Sequence, residues 1–313
     1  MKNRIENLSL LPVEPGEMPF SFTHALASSL AASGCNIDRK VITGASGFAF
    51  RLWVHRELCP SAMSTFDFVS LLRAGVEFCG YTCTHITRLW EQVDAEAEYR
   101  EQAHEAIKLA VDDGRAPVAW DIGVPEWGLI AGYDDEKQEY ETIDCFGKHG
   151  AMPYTQLGKR EIPILAVTIP GKPAGKSLHE LAPRTVAAAI CHAHGLEAGF
   201  GNVNGLAAYP VWASLIKSLD QTGFSSRYYA GTYAYFRGCA AHYLAWLAKE
   251  NGRFTKAAQA YARVATHLKD VNDARNDAAF PTPALLDRME QSLLAAYEEE
   301  QKGVEALEKL ILA

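Results

Sequence analysis

The chain has little of what would mark it for nucleic acid, a membrane or export. It contains no run of Lys and Arg, and 30 basic against 38 acidic side chains leave a net charge of −8. A net acidic surface offers little to a phosphate backbone or an anionic lipid. No stretch reaches the roughly 18 apolar residues of a membrane span. Residues 1–19 lack the basic-then-apolar pattern of a signal peptide. A cytoplasmic protein with no nucleic-acid and no membrane partner is therefore expected. The seven cysteines are odd in number and scattered, which argues against a disulfide framework and for free thiols in a reducing compartment. Cys79, Cys83 and His85 share one strand parity but lack a fourth ligand and zinc-site spacing, so no metal or other cofactor is expected. No repeat of fixed period runs through the chain. Residues 201–205 are too short and badly spaced for a phosphate loop.

What is present is ample core, with 48% hydrophobic and 22% charged residues, and length enough for two domains. Residues 1–20 carry three prolines and read as an extended arm. Phe22, Leu26 and Leu30 fall on one helical face, predicting a helix over 21–32 with Ser21 as its N-cap. Its small residues (Ala25, Ala27, Ser28, Ser29) predict a buried helix. The pattern then predicts a short helix at 37–42, a strand at 48–54, a helix at 65–74, extended chain at 76–86 and a long helix at 90–113. The long helix has Ala103, Ile107 and Ala110 on its inner face. Residues 116–135 read as two apolar strands joined by a Gly/Pro loop, followed by a strand at 139–144, a Gly-rich loop at 146–152 and a last strand at 162–169. Residues 170–176 have linker composition. Beyond them, helical spacing over 184–194, 206–219, 226–250, 255–270 and 283–312 predicts an α-helical bundle. The expected class is α+β, with helices packed on an antiparallel sheet over 1–172 and an all-α domain over 178–313.

The loop at 120–127 crowds acids and aromatics. Glu126 with Asp144 on the neighbouring strand forms a like-charged pair, in which one carboxyl with a raised pKa would serve as acid or base. Trp120, Asp121 and Trp127 supply aromatic walls and an acid for a small ligand. His24 lies one turn into the first helix, close to Ser21.

The segments Phe20 to Leu30, Gly47-Phe48-Ala49-Phe50-Arg51, Val118 to Asp135 and Asp144 together resemble the papain-like, bacteriocin-processing peptidase-like superfamily. The branch they resemble is the N-terminal domain of the butirosin biosynthesis protein H type, whose members also tend to carry a helical C-terminal domain. The resemblance implies a nucleophilic Cys at the start of the first helix, a His opening a strand, and an Asp or Asn on the next. Carried onto this sequence, the Cys position falls near Phe20 or Ser21, the His position on Glu126 and the orienting acid on Asp144. No Gln lies upstream of residue 20 to supply the oxyanion donor. The ordinary thiol–imidazole chemistry is therefore not encoded. The activity implied is acyl transfer or amide hydrolysis on a small amide- or peptide-like metabolite, with Glu126, Asp144, His24 and Ser21 as catalytic residues. The alternative is a non-catalytic binding or scaffold protein that uses its helical domain to form a homodimer.

Overall fold

The computed structural model describes residues 1–63 and 66–311, so the helix start predicted at Thr65 lies outside the described residues. The chain is α+β, mixing helices with an antiparallel sheet. It divides into two compact units. One gathers Met1–Pro12, Phe20–Arg39 and Phe68–Lys176; the other gathers Val13–Pro19, Lys40–Asp67 and Ser177–Ala313. No helix among the described residues is long and apolar enough to cross a membrane.

The elements run β1 (Lys2–Arg4), α1 (Ser21–Ala32), α2 (Arg39–Ala45), β2 (Trp53–Val54), α3 (Leu71–Phe78), β3 (Tyr81–Arg88), α4 (Glu96–Asp112), β4 (Val118–Ala119), β5 (Gly128–Asp134), β6 (Glu139–Ile143), β7 (His149–Pro153) and β8 (Leu165–Pro173). They continue as α5 (Leu178–Ala193), β9 (Val203–Asn204), α6 (Ala208–Leu215), α7 (Phe224–Glu250), α8 (Thr255–Arg275) and α9 (Pro283–Ile311).

In the first unit the sheet has the order β3-β8-β4-β5-β6-β7, and every described pairing is antiparallel. The short β4 pairs only with Gly128 and Leu129 of β5. The rest of that edge is taken by β1, whose Lys2, Asn3 and Arg4 pair with Asp134, Tyr133 and Gly132. The arm predicted over 1–20 thus begins as a strand. Gly132 makes this approach possible, because a Cβ there would lie 2.7 Å from the Asn3 carbonyl oxygen. Ala103, Ile107 and Ala110 of α4 are fully buried on the sheet with Ile130, Tyr133, Val167 and Ile169, as their helical spacing requires.

Helix α1 is buried from Ser21 to Leu30, and it packs on β4, β5 and β8. A helix without an exposed face must satisfy its own polar groups. Ser28 Oγ donates to the His24 carbonyl at 2.8 Å and accepts from Leu11 N–H at 3.0 Å, while Ser29 Oγ donates to the Ala116 carbonyl at 2.6 Å. Its N-cap is Phe20, not Ser21, and no side chain caps it. The hydroxyl expected to cap is engaged elsewhere.

Several predicted elements are corrected by identifiable contacts. Residues 48–54 are a 3₁₀ turn at Phe48–Phe50 and then a two-residue strand. Arg237 Nη1 donates to the Ala49 and Arg51 carbonyls at 2.9 and 3.0 Å, taking the groups a longer strand would have paired. The predicted linker begins as strand: β8 runs on to Pro173, where β4 has ended and a proline's missing N–H costs no second ladder bond. Residues 76–86 are the end of α3 and then β3, separated by Gly80 at φ +86°. The loop at 146–152 contains β7, paired with β6. Pro183 lies inside α5, which starts at Leu178 behind a capping box of Ser177 and Glu180.

The second unit is mainly helical and has a polar centre. Arg51 clamps Glu197 through Nε at 2.9 Å and Nη2 at 2.7 Å. Glu197 accepts from His192 Nδ1 at 2.9 Å, and His192 Nε2 accepts from Leu52 N–H at 2.7 Å. These bonds fix the imidazole as the Nδ1–H form. Burial pushes His192 below its ordinary range, against the pull of Glu197. Burial alone would raise the Glu197 carboxyl, but His192 and Arg51 bring it down to about 2. His104 in the first unit is also held low, chiefly by burial.

Unfolding frees these histidines to take up protons, so stability is whole above about pH 6.5 and falls as the pH drops through that value, by up to about 1.4 kcal/mol per pH unit for each proton. Below about pH 4.5 Glu197 adds a second loss as its unfolded form protonates. Urea unfolding between pH 7 and 5 should therefore show a loss that His192→Gln reduces; an identical pH slope in the variant contradicts the assignment.

Candidate active site

The first residue of α1 and the loop before β5 meet through one hydroxyl. Ser21 Oγ donates to Glu126 Oε2, and it accepts from the Trp127 N–H at 3.2 Å. Ser21 is only 7% exposed, so these bonds form largely out of water. The carboxylate also lies beside the start of a 12-residue helix whose first turn holds no acid, where a negative charge is favoured.

The loop itself is tightly braced. Asp121 adopts φ +61°, a left-handed conformation that Asp tolerates better than most side chains. Arg160 donates to the Asp121 carbonyl at 2.9 Å and the Gly123 carbonyl at 3.1 Å, and Ile122 N–H donates to the Glu126 carbonyl at 3.1 Å. Trp120 and Trp127 are buried, with ring centres 5.2 Å apart. Trp127 also packs edge-on to Phe22 at 5.1 Å and stacks on Phe68 at 5.9 Å. Each indole sits in this aromatic cluster with its Nε1–H unbonded among the described residues.

Asp121 is 2% exposed, and neither carboxyl oxygen makes a hydrogen bond of normal geometry among the described residues. Burial raises its pKa, while Arg160, 3.9 Å away, and the backbone amides of Ile162 and Glu161 oppose the shift.

Asp144 follows β6. Its Oδ1 accepts from Phe146 N–H at 2.9 Å and Lys148 N–H at 3.0 Å, shaping the turn into β7. It also underlies the loop, because a Cβ on Gly123 would lie 2.9 Å from the Asp144 Cβ. Cys145 beside it is no thiolate: burial first, then the Glu126 and Asp144 charges, push its thiol up to about 12. His24 turns its Nε2 to the Leu11 carbonyl at 2.8 Å, fastening the chain ahead of α1.

No family model matches this chain. Nor does any curated protein.

Of the residues read from the sequence, Ser21, Glu126 and Trp127 are joined by hydrogen bonds, and Trp120 packs on Trp127. Asp144 lies under the same loop through Gly123, whereas Asp121 faces Arg160. Arg160 was not foreseen: it stands in a polar stretch, Lys159-Arg160-Glu161, that gives no sign of a partner 37 residues away. Phe68 was missed because its stretch reads as part of a helix over 65–74.

Losing the Ser21 hydroxyl leaves a carboxylate and a buried amide short of a partner. A double-mutant cycle over Ser21→Ala and Glu126→Gln should give a coupling of about 1–3 kcal/mol in unfolding free energy. Additive single effects contradict the bond.

Proposed function

We propose that the protein is a diverged papain-like protein whose Ser21–Glu126 pair acts on a small amide- or peptide-like metabolite by acyl transfer or amide hydrolysis. The observation that carries this reading is the hydrogen bond from Ser21 Oγ, at the first position of α1, to the Glu126 carboxylate ahead of β5. Further support comes from the order of the parts: a buried helix on an antiparallel sheet, a carboxylate just before one strand, and Asp144 just after the next.

In this mechanism Glu126 takes the proton of Ser21 Oγ as the oxygen attacks the substrate carbonyl. The Oγ–C bond forms, and the carbonyl π electrons move onto oxygen. Collapse breaks the C–N bond, and the proton held by Glu126 passes to the departing nitrogen. Water or an acceptor amine then removes the acyl group by the same steps in reverse order. The Trp127 N–H favours negative charge on Oγ, and the positive end of α1 lies at the same place. The notional His24 role shrinks to positioning, since its Nε2 is held by Leu11.

A second, non-catalytic reading rests on the same atoms. Ser21 Oγ uses its proton and one lone pair within the protein and is nearly sealed, as suits a tie between helix and loop in a binding or scaffold protein.

A fluorophosphonate probe separates the two. On the catalytic reading it labels Ser21 in the native chain, Ser21→Ala abolishes the label, and Glu126→Gln slows it by about 10²-fold or more. A native chain left unlabelled at Ser21 overturns it in favour of the tie.

A further inference from the structure

The second unit contains a cavity of about 270 Å³ lined by Thr222, Arg227, Arg275, Asn276, Asp277 and Phe280. Arg275 is 5% exposed and rigidly held: Nε donates to Ser226 Oγ at 3.2 Å, and Nη2 donates to the Thr222 and Gly223 carbonyls at 2.7 and 3.0 Å. Its guanidinium carbon lies 4.6 Å from the Phe280 ring centre, which fixes the plane of the group. Its Nη1 makes no hydrogen bond among the described residues and is open to solvent at the cavity that Arg275 lines. Arg227 is exposed and has no acidic partner among the described residues. Two guanidinium groups with no ion pair among the described residues line one cavity in a chain of net charge −8.

Two acids lie nearby, Asp277 in the cavity lining itself and Asp220 close enough to support the charge on Arg275. Asp220 accepts from Thr222 N–H at 2.9 Å and from its hydroxyl at 2.8 Å, and Asp277 Oδ1 accepts from Ala279 N–H at 2.8 Å. Neither forms an ion pair with either arginine among the described residues. Beside Thr222 the 27-residue helix α7 begins at Phe224, with no side chain capping it and no acid in its first turn. Burial first and then the neighbouring Arg227 charge work against the charge on Arg275, Asp220 supports it, and a bound anion would add to that support.

We propose that this cavity binds the oxyanion group of a small metabolite, held between Arg275 Nη1 and the Arg227 guanidinium at the positive end of α7. Guanidinium forks suit phosphate and carboxylate oxygens alike. The site is independent of Ser21 and Glu126.

The test is isothermal titration of the full chain with inorganic phosphate and, separately, with malonate, each against chloride at equal ionic strength. Saturable binding of either anion is expected; the tighter one identifies the group as phosphate or carboxylate. Arg227→Gln, at an exposed position whose fold is checked by circular dichroism, should weaken binding by about tenfold or more. Arg227→Lys should recover part of that loss. Heat no different from chloride for both anions, or equal affinity in Arg227→Gln, overturns the proposal.

Discussion

The hydroxyl of Ser21 joins two parts of the chain that lie 105 residues apart. It is the first residue of a helix buried along most of its length, and its two partners belong to the turn that opens β5. Moving that hydroxyl would disturb more than one bond. The Trp127 amide sets the start of β5, and the Trp127 ring packs against Phe22 one residue along the same helix. Arg160 holds the far side of the loop by two carbonyls. The Glu126 carboxylate is thus fixed between a helix start and a braced loop. Such fixing is what a reactive pair needs, and it is also what a purely structural tie would look like.

The second unit is organised around buried charge. Glu300 receives both the Arg237 Nε–H, at 2.8 Å, and the Tyr209 hydroxyl, with all three side chains almost fully enclosed. Arg237 spends its remaining reach on carbonyls of the turn at Phe48–Phe50. Nearby, Arg51, Glu197 and His192 form a comparable chain. Buried pairs of this kind add modest net stability when intact but cost several kcal/mol when one partner is removed. Together they engage the Ala49 and Arg51 carbonyls and the Leu52 amide.

Much of the architecture was legible because its causes are local. The 3.6-residue spacing of Ala103, Ile107 and Ala110 gave the inner face of α4, and the small residues of α1 announced its burial. The long helices α7, α8 and α9 followed from the same periodicity. What was not legible depends on distant partners. Residues 48–54 have strand composition, yet Arg237 fixes a turn there. Pro170 and Pro173 look like linker residues, but β8 has lost its β4 neighbour by that point and accepts them. At the candidate site, crowding of acids and aromatics pointed to the loop that Ser21 reaches. That Ser21 would reach Glu126 instead of capping its own helix was a matter of tertiary approach. One missed element could have been read: Ser177 and Glu180 stand at capping-box spacing ahead of α5.

The central claim is that Ser21 forms a covalent acyl intermediate with Glu126 as its base. The most direct measurement is peptide-mapped mass spectrometry of the full chain, acid-quenched during reaction with p-nitrophenyl acetate. The account predicts one acetyl group on the peptide bearing Ser21, absent when Glu126 is replaced by Gln. An acetyl group on Cys145 instead, or none on Ser21 in the native chain, would contradict it.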